Sequence, residues 1–262
     1  MAAQVVFIIP SVGAKAKTAA ATSFVCGVPR IVRCIAEIDK VSAGASYVAT
    51  DSDDVLLVCR EHGIKAYRTF EDISNDLVAA EGVVKRLECI NVIDDETLIV
   101  RIDPTSKWVD KQLVHELIQF HNDHGFESFS CVGVQVKDAD DETDKSKMKV
   151  LVGLNSAPLM HSCNPIRINE LSGALYENID SYVYIVGIDA FSCTTLNKML
   201  NCHDLRHPLD QAKEVNVPIN VMSWAGVPPL HYDDNFTLRG ANKLLSTVNE
   251  DVSGVISTLK AA

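Results

Sequence analysis

The sequence predicts an α/β protein with a mixed, mainly parallel sheet and helices on both faces. Three observations favour this fold class. Residues 5–9, VVFII, form a continuous apolar run, which is typical of a strand buried on both faces. Strand-like and helix-like segments then alternate up to Gly125, as consecutive β-α units do. The remaining chain is richer in strand-like segments, which predicts a strand-rich insertion within one α/β domain.

The first half contains four strand-helix pairs. Isoleucines recur at helical spacing in the first helix, and Gly63 and Gly125 end the second and the fourth. Ser74 is the predicted N-cap of the third helix, and Pro104 ends the fourth strand. The predicted strands are 5–9, 45–51, 64–68 and 96–103, and the predicted helices are 31–41, 53–63, 74–90 and 109–125.

The second half is less regular. Its charged segment 137–147 is predicted to be a solvated loop, and Asp189 is the predicted cap of a helix over 189–200. The remaining predictions are strands at 129–136, 147–154, 180–188 and 218–224, and a closing helical segment at 237–259.

Composition excludes several classes of protein. The 262 residues are 47% hydrophobic, which is ample for a core, and the net charge of −11 comes without the basic stripe of a general nucleic-acid binder. No apolar run approaches the roughly 20 residues that cross a bilayer. The eight cysteines form no C-x-x-C pair, and most have apolar neighbours, so we expect buried free thiols. These features predict a cytoplasmic or other intracellular protein in a reducing compartment, without membrane or general nucleic-acid partners.

The loop after the first strand is a candidate anion site. Ligands of open α/β sheets bind at the carboxyl ends of the strands, where Lys15 and Lys17 could meet phosphates. The chain lacks both G-x-x-x-x-G-K-[ST] and G-x-G-x-x-G. Phosphate binding and an ordinary polar loop therefore both remain open.

Carboxylates supply the candidate metal ligands. Asp51 and Asp103 end predicted strands, where an aspartate serves either as a Mg²⁺ ligand or as a cap of the next helix. Asp233 and Asp234 belong to HYDDN, which contains either a metal-binding carboxylate or only a solvated turn. His115 faces away from the other two histidines of its predicted helix, which argues against zinc there. G-x-S-x-G and H-E-x-x-H are absent from the chain.

Taken in order, several segments resemble one family, the CMP-Kdo synthetases, which are cytidylyltransferases that activate 3-deoxy-manno-octulosonate (Kdo). VATDSDDV resembles the family's V-A-T-D-x-x-x-V almost letter for letter, and TLIVRIDP lies where the family has I-V-N-V-Q-G-D-E-P. VVFIIPSVGAKAK, CGVPRIV, LMHSCNPI, YVYIVGIDAF, HPLD and YDDNFTLRGANKLL also follow the family's order. The correspondence covers roughly residues 4 to 247.

The resemblance implies a three-layer α/β/α nucleotidyltransferase fold, Rossmann-like and of the GT-A type, with a dimerising insertion. Residues 1–262 would be a single domain, with a nucleotide-binding half (1–128), a sugar-site and dimerisation half (129–225) and a returning C-terminal segment (226–262). The implied reaction joins CTP and a sugar acid to give a CMP-sugar and pyrophosphate, with Mg²⁺. Lys15, Lys17, Asp51 and Ser74 would lie near the nucleotide, and Asp103 and Asp233 near the metal.

Most of the family's charged site positions are replaced. Its loop arginine falls on Val12, its sugar-side arginine on Cys163, and its first metal-binding aspartate on Thr105. The second metal-binding aspartate is kept as Asp233, and Ser74 is kept from S-G-T-E-R, whose arginine falls on Val78. We therefore favour a protein with lost or impaired chemistry that acts in a homodimer or a larger assembly. The alternatives are an active divergent enzyme that uses Mg²⁺, and a protein that binds CTP or a sugar acid without turnover.

Overall fold

The structure is a computed structural model that describes residues 4–13, 15–25, 27–41, 43–69, 75–104, 109, 111–168, 177–201 and 207–225. Within these residues, one mixed sheet contains β1 (Val5–Ser11), β4 (Gly44–Thr50), β5 (Ala66–Arg68), β6 (Leu98–Ile102), β7 (Phe129–Gln135), β8 (Lys149–Gly153), β9 (Pro158–Ser162), β10 (Ile179–Ser192) and β11 (Ile219–Trp224). A separate hairpin joins β2 (Phe24–Val25) and β3 (Val28–Pro29). The helices are α1 (Lys15–Thr22), α2 (Arg30–Asp39), α3 (Asp53–Glu61), α4 (Asp76–Cys89), α5 (Lys111–His124), α6 (Ala139–Thr143), α7 (Cys193–Leu200) and α8 (Pro208–Glu214).

The first four strands of the sheet are parallel. Their order is β6-β1-β4-β5, with Val5 opposite both Gly44 and Leu98 and with Ser11 opposite Thr50. Every residue of β1 and of β6 is buried, because helices cover both faces of this part of the sheet. The predicted α/β fold with a mainly parallel sheet is confirmed.

Side chains alternate between two apolar clusters, one on each face. Val5, Phe7 and Ile9 point into the cluster that contains residues of α2, α3 and α5. Val6 and Ile8 point into the cluster that contains residues of α4, α7 and α8. The three-layer arrangement therefore follows from an apolar strand whose two faces are both covered.

The long strand β10 joins the two parts of the sheet. It pairs antiparallel with β6 through Ile188–Ser192 and with β7 through most of its length. The outer part of β10 also pairs with β8, which in turn pairs with β9. This is the strand-rich region predicted for the second half.

Three predictions about helix ends and loops are wrong. Asn75, rather than Ser74, caps α4, since its side chain accepts hydrogen bonds from the backbone of Leu77 at 2.8 Å and of Val78 at 3.4 Å. Ser192, rather than Asp189, caps α7, and residues 189–192 continue β10. The segment 137–147 includes the helix α6, whose first turn is acidic and is therefore favoured by the helix dipole.

The six cysteines that the structure describes are free thiols, but only four of them are buried. Cys34, Cys59, Cys131 and Cys193 are buried, whereas Cys89 and Cys163 are exposed. Cys26, Cys202 and the predicted closing helix 237–259 lie outside the described residues. Among the helices described, none combines the length and the apolar character that a bilayer crossing requires.

Candidate functional site

The candidate site begins at the carboxyl ends of β1 and β4. The hydroxyl of Thr50 donates to the carbonyl of Ser11 at 2.7 Å and accepts from the backbone of Ser52 at 3.1 Å. The backbone of Gly13 donates to Asp51 at 3.4 Å, and the φ of 91° at Gly13 favours glycine in this turn. These bonds hold Asp51 against the end of β1.

Three neighbouring strand ends carry buried oxygens that accept or donate no hydrogen bond. They are the Oγ of Ser11 at the end of β1, the Oδ1 of Asp51 after β4 and the Oγ1 of Thr69 after β5. Buried polar atoms are rarely left without a partner in native proteins. Unused hydrogen-bonding capacity is therefore concentrated at this sheet edge, which is the edge where such folds bind ligands.

An ion-pair network follows at β6. Arg101 donates to Asp189 through Nε at 2.9 Å and also through Nη2, and its Nη1 donates to Asp76 at 3.3 Å. The side chains of Arg101 and Asp189 are 7% and 2% exposed. Burial alone would lower the pKa of Arg101, but the charge and hydrogen bonds of Asp189 and the charge of Asp76 raise it, so the guanidinium stays charged. Arg101 is thus held by two carboxylates.

A cleft of about 320 Å³ opens above this network, between β6, β10 and the start of α8. Asp103 lies at its edge, where its backbone donates to the carbonyl of Gly187 at 2.7 Å. A Cβ on residue 187 would stand 2.5 Å from the Cβ of Asp103, so the close approach requires glycine. We call this space the β6–β10 cleft; it is lined by Asp76, Arg101, Asp103, Ser146, Lys147, Met148, Ile185, Gly187, His207 and Pro208.

His207 is a neutral member of the cleft wall. Burial and the nearby charge of Arg101 lower its pKa to about 4. Its Nδ1 accepts a hydrogen bond from the backbone of Leu209 at 3.2 Å, which caps α8. At neutral pH, this imidazole therefore adds no positive charge to the cleft.

The predicted site residues are only partly brought together. Asp51 and Asp103 both lie at the carboxyl edge of the sheet. Lys15 and Lys17 belong to the first turn of α1 rather than to a loop, and their side chains are not described. Ser74 and Asp233 also lie outside the described residues. His121 is buried in α5, where its Nδ1 is 3.0 Å from the hydroxyl of Ser130.

The described residues hold one part of the predicted magnesium site. Within them, no three His, Cys, Asp or Glu side chains are grouped so that they could hold a metal ion. Of the two predicted ligands only Asp103 is described, and Mg²⁺ is commonly held by one or two carboxylates together with substrate phosphates and water. The structure therefore describes one of the two carboxylates that would hold the metal.

Sequence reasoning missed the charged residues of α2 and β6. Arg30 and Arg33 are 4% and 9% exposed on α2, and both have interaction partners. Arg101 interrupts the apolar strand LIVRI, and an arginine inside a buried strand predicts a buried carboxylate partner. That signal was present in the sequence, although it does not identify Asp189 as the partner.

The parallel strands, the helices on both faces of the sheet and the candidate site at its carboxyl edge are those of an α/β protein of the nucleotidyltransferase type. The sequence model of the cytidylyltransferase family matches residues 23–222. The chain belongs to the cytidylyltransferase family, and within it to the divergent relatives of the CMP-Kdo synthetases.

Two curated proteins are similar in sequence to this chain. The 3-deoxy-manno-octulosonate cytidylyltransferase of Brucella anthropi is 22% identical over 170 residues, which are 61% of this chain and 64% of that protein. The protein of the same name from Neisseria meningitidis serogroup A is 33% identical over 109 residues, which are 38% of this chain and 43% of that protein. The matched regions thus span less than two thirds of the length of either relative.

Solved structures share the fold. CMP:2-keto-3-deoxy-manno-octonic acid synthetase in complex with CTP has a TM-score of 0.79 at 17% identity, over 94% of this chain and 100% of that chain. The 4-diphosphocytidyl-2C-methyl-D-erythritol synthase of Anaerococcus prevotii has a TM-score of 0.60 at 12% identity, over 94% of this chain and 100% of that chain. The predicted three-layer nucleotidyltransferase fold is therefore confirmed.

Proposed function

We propose that this chain is a CMP-Kdo synthetase-like protein in which nucleotidyl transfer is lost or strongly impaired, and that it acts as a binding or assembly subunit. The observation that supports this most is the state of Arg101. Its guanidinium is bonded to Asp189 and Asp76 instead of being presented to a phosphate. Transfer of a nucleotidyl group depends on cations that cancel the charge developing on phosphate oxygens.

Two replaced positions support the same proposal. The resemblance places an arginine at Val12, and this side chain is buried in the apolar cluster beneath α4. It places a second arginine at Cys163, which is exposed and uncharged as a thiol. Each replacement removes a guanidinium from the position that the resemblance gives it, so several powers of ten in rate are lost if both acted on charge.

As an assembly subunit, the chain would form a homodimer or join a larger particle through residues 129–225. This region contains β8 and β9, which extend the sheet beyond its central strands. A sheet edge in this position offers unpaired backbone groups to a second chain. Light scattering at micromolar concentration tests the proposal, and a monomer with no larger assembly would count against it.

The direct test is pyrophosphate release from CTP, with Mg²⁺ and a panel of 3-deoxy sugar acids. We expect no release above the rate without protein, while the Neisseria meningitidis relative provides the positive control in the same assay. Turnover at a rate comparable with that relative would overturn the proposal. A substitution of Asp51 by asparagine that abolished this turnover would then assign the activity to the strand-end site.

An active divergent cytidylyltransferase is the second candidate. The row of buried oxygens at Ser11, Asp51 and Thr69 favours it, because it retains hydrogen-bonding capacity for a nucleotide. In this candidate, Asp103 and Asp233 would hold Mg²⁺, and Lys15 and Lys17 would face the triphosphate.

Calorimetry with CTP and Mg²⁺ separates the two candidates. The proposed impaired protein should bind no more tightly than about millimolar, near −4 kcal/mol. Micromolar binding that both Asp103→Ala and Asp233→Ala abolish would support the active enzyme. Asp123→Ala, an exposed position on α5, is the matched control and should leave any binding unchanged.

A further inference from the structure

We propose that residues 137–144 form a strap over β10 that a charged pair fastens, and that the strap lifts away from β10 when this pair is screened or broken. The helix α6 makes up most of the strap. The inference goes beyond the proposed function, because it concerns the movement of one segment and its test needs no nucleotide.

The sheet topology makes this segment cross a strand. β7 and β8 pair with opposite edges of β10, since Val183 lies opposite Gln135 on one side and Val150 on the other. Both strands are antiparallel to β10 and therefore parallel to each other, so the connection between them is a crossover and not a tight hairpin. Residues 136–148 must therefore pass over one face of β10.

Apolar packing does little to hold the strap down. α6 is five residues long and none of them is buried, and a helix this short is not stable by itself. A space of about 590 Å³ adjoins the strap, and its lining includes Lys137, Ala139 and Glu142 of the strap and Tyr182 of β10. The first part of the strap thus borders this space instead of a packed core.

The strap is fastened by an ion pair between Asp141 of α6 and Lys147. The Nζ of Lys147 lies 2.7 Å from Oδ1 of Asp141 and 4.8 Å from the centre of the Tyr184 ring. This ammonium therefore links α6 to β10, through the ion pair on one side and a cation–π contact on the other. Burial alone would lower the pKa of Lys147, but the hydrogen bond and charge of Asp141 raise it, so the ammonium stays charged.

The carboxyl end of the strap is held by a buried lysine. Lys149 is fully buried on β8, and its Nζ donates to the backbone carbonyls of Asp144 and Cys163, the second at 2.8 Å. Asp144 is the C-cap of α6, and its side chain lies 3.7 Å from Lys147. Because buried charges are screened much less than exposed ones, Asp144 is the hinge and α6 is the moving part.

Salt therefore acts on the fastening pair before it acts on the hinge. The side chains of Lys147 and Asp141 are 24% and 19% exposed, so water and ions reach the pair. Screening weakens the pair, and α6 then swings away from β10 about Asp144. This movement widens the space beside Tyr182 and uncovers the ring of Tyr184.

Hydrogen exchange of the intact chain, followed by mass spectrometry, measures the lifting of the strap. The amides of Glu142 and Asp144 report on it, since they donate to the carbonyls of Asp138 and Asp140 at 3.1 and 3.0 Å in a helix that is not stable away from β10. Raising NaCl from about 0.1 M to about 1 M shortens the screening length from about 10 Å to about 3 Å, and should speed this exchange at least about threefold. Exchange in β1 should not change.

Two outcomes of this experiment would overturn the inference. One is exchange of the strap that does not depend on salt. The other is a strap that is already unprotected at about 0.1 M NaCl.

Thiol labelling gives a second readout on the space beside the strap. Val136→Cys places a thiol in the lining of this space, and it should react faster with a maleimide at the higher salt concentration. Cys89, which is exposed at the end of α4, is the internal control within the same chain, and peptide mapping separates the two thiols. A rate at residue 136 that does not rise relative to that of Cys89 would count against lifting.

Substitutions then assign the movement to the ion pair. Asp141→Asn and Lys147→Gln each remove one charge, so at low salt the strap should exchange at the rate that the unsubstituted chain shows at high salt. Lys147→Arg keeps the cation and should keep both the protection and its salt dependence. Lys198→Gln breaks the exposed pair with Glu127 and should leave the strap unchanged. Slow exchange of the strap in both charge-removing variants would refute the role of the pair.

Discussion

Asp189→Ala tests how much the buried ion pair stabilises the fold. The substitution removes two charged hydrogen bonds to Arg101, each worth about 1.5–3 kcal/mol. Asp76 remains at 3.3 Å and compensates part of the loss, but Arg101 stays almost fully buried. We therefore expect the free energy of unfolding to fall by about 3–5 kcal/mol, the usual cost of removing one partner of a buried pair.

The assay is urea unfolding followed by far-UV circular dichroism. With a slope of about 3 kcal/mol per molar urea for a chain of this size, the midpoint should fall by roughly 1 M or more. Lys198→Ala breaks an exposed pair with Glu127, whose side chains are 46% and 75% exposed, and should cost no more than about 1 kcal/mol.

A double substitution separates the lost pair from the stranded charge. Asp189→Ala combined with Arg101→Met removes both ions, and replacing a buried pair by apolar groups is often close to neutral. The double variant should therefore recover more than half of the loss. A cost of Asp189→Ala no larger than that of Lys198→Ala would refute the argument, as would a double variant less stable than the single one.

Substitutions at three further local features are tested by the same unfolding assay. Gly187→Ala should lower the free energy of unfolding by about 1–3 kcal/mol, because the added Cβ would stand 2.5 Å from the Cβ of Asp103. Gly82→Ala, which adds its Cβ in open space within α4, is the control and should raise the free energy of unfolding by about 0.5–1 kcal/mol. Equal effects of the two substitutions would contradict the crowding at residue 187. Asn75→Ala should cost about 1 kcal/mol through loss of the α4 cap, and no change would show that the cap is dispensable. Burial lowers the pKa of His121 from 6.5 to about 4, so between these values the unfolded chain binds the extra proton. The His121 contribution to stability should therefore fall by up to about 3 kcal/mol as pH drops from 6.5 to 4. His121→Gln should remove this part of the pH dependence and leave the part due to His207, whose pKa is also lowered to about 4; an equally steep slope in the variant would contradict the argument.

The parallel part of the sheet was predictable because its signals are local. The apolar run of β1 and the glycines that end helices lie within a few residues of the structures they specify. The two neighbouring cap-forming residues Ser74 and Asn75 could not be ranked in this way. Either fits the pattern, and the register of α4 against the sheet decides between them.

The candidate site was less predictable because its contacts are distant in sequence. Asp189 precedes an apolar helix and so matches the pattern of an N-cap, yet β10 pairs with β6 as far as Ser192 and carries Asp189 to Arg101, which is 88 residues away. A cap prediction takes no account of a buried cation elsewhere in the chain. Asp51 and Asp103 were found because strand ends are visible in the sequence, whereas Arg30 and Arg33 were missed because an arginine on a helix normally faces water.

The pairing of β10 with β6 also constrains the order in which the chain can fold during synthesis. Strands β1, β4, β5 and β6 leave the ribosome first, but one edge of β6 has no partner until residues 188–192 follow. That edge belongs to LIVRI, a strand buried throughout in the finished sheet. A nascent or truncated chain that ends near residue 128 would therefore display an apolar, unpaired strand edge, and we expect such a fragment to associate with other copies rather than fold alone.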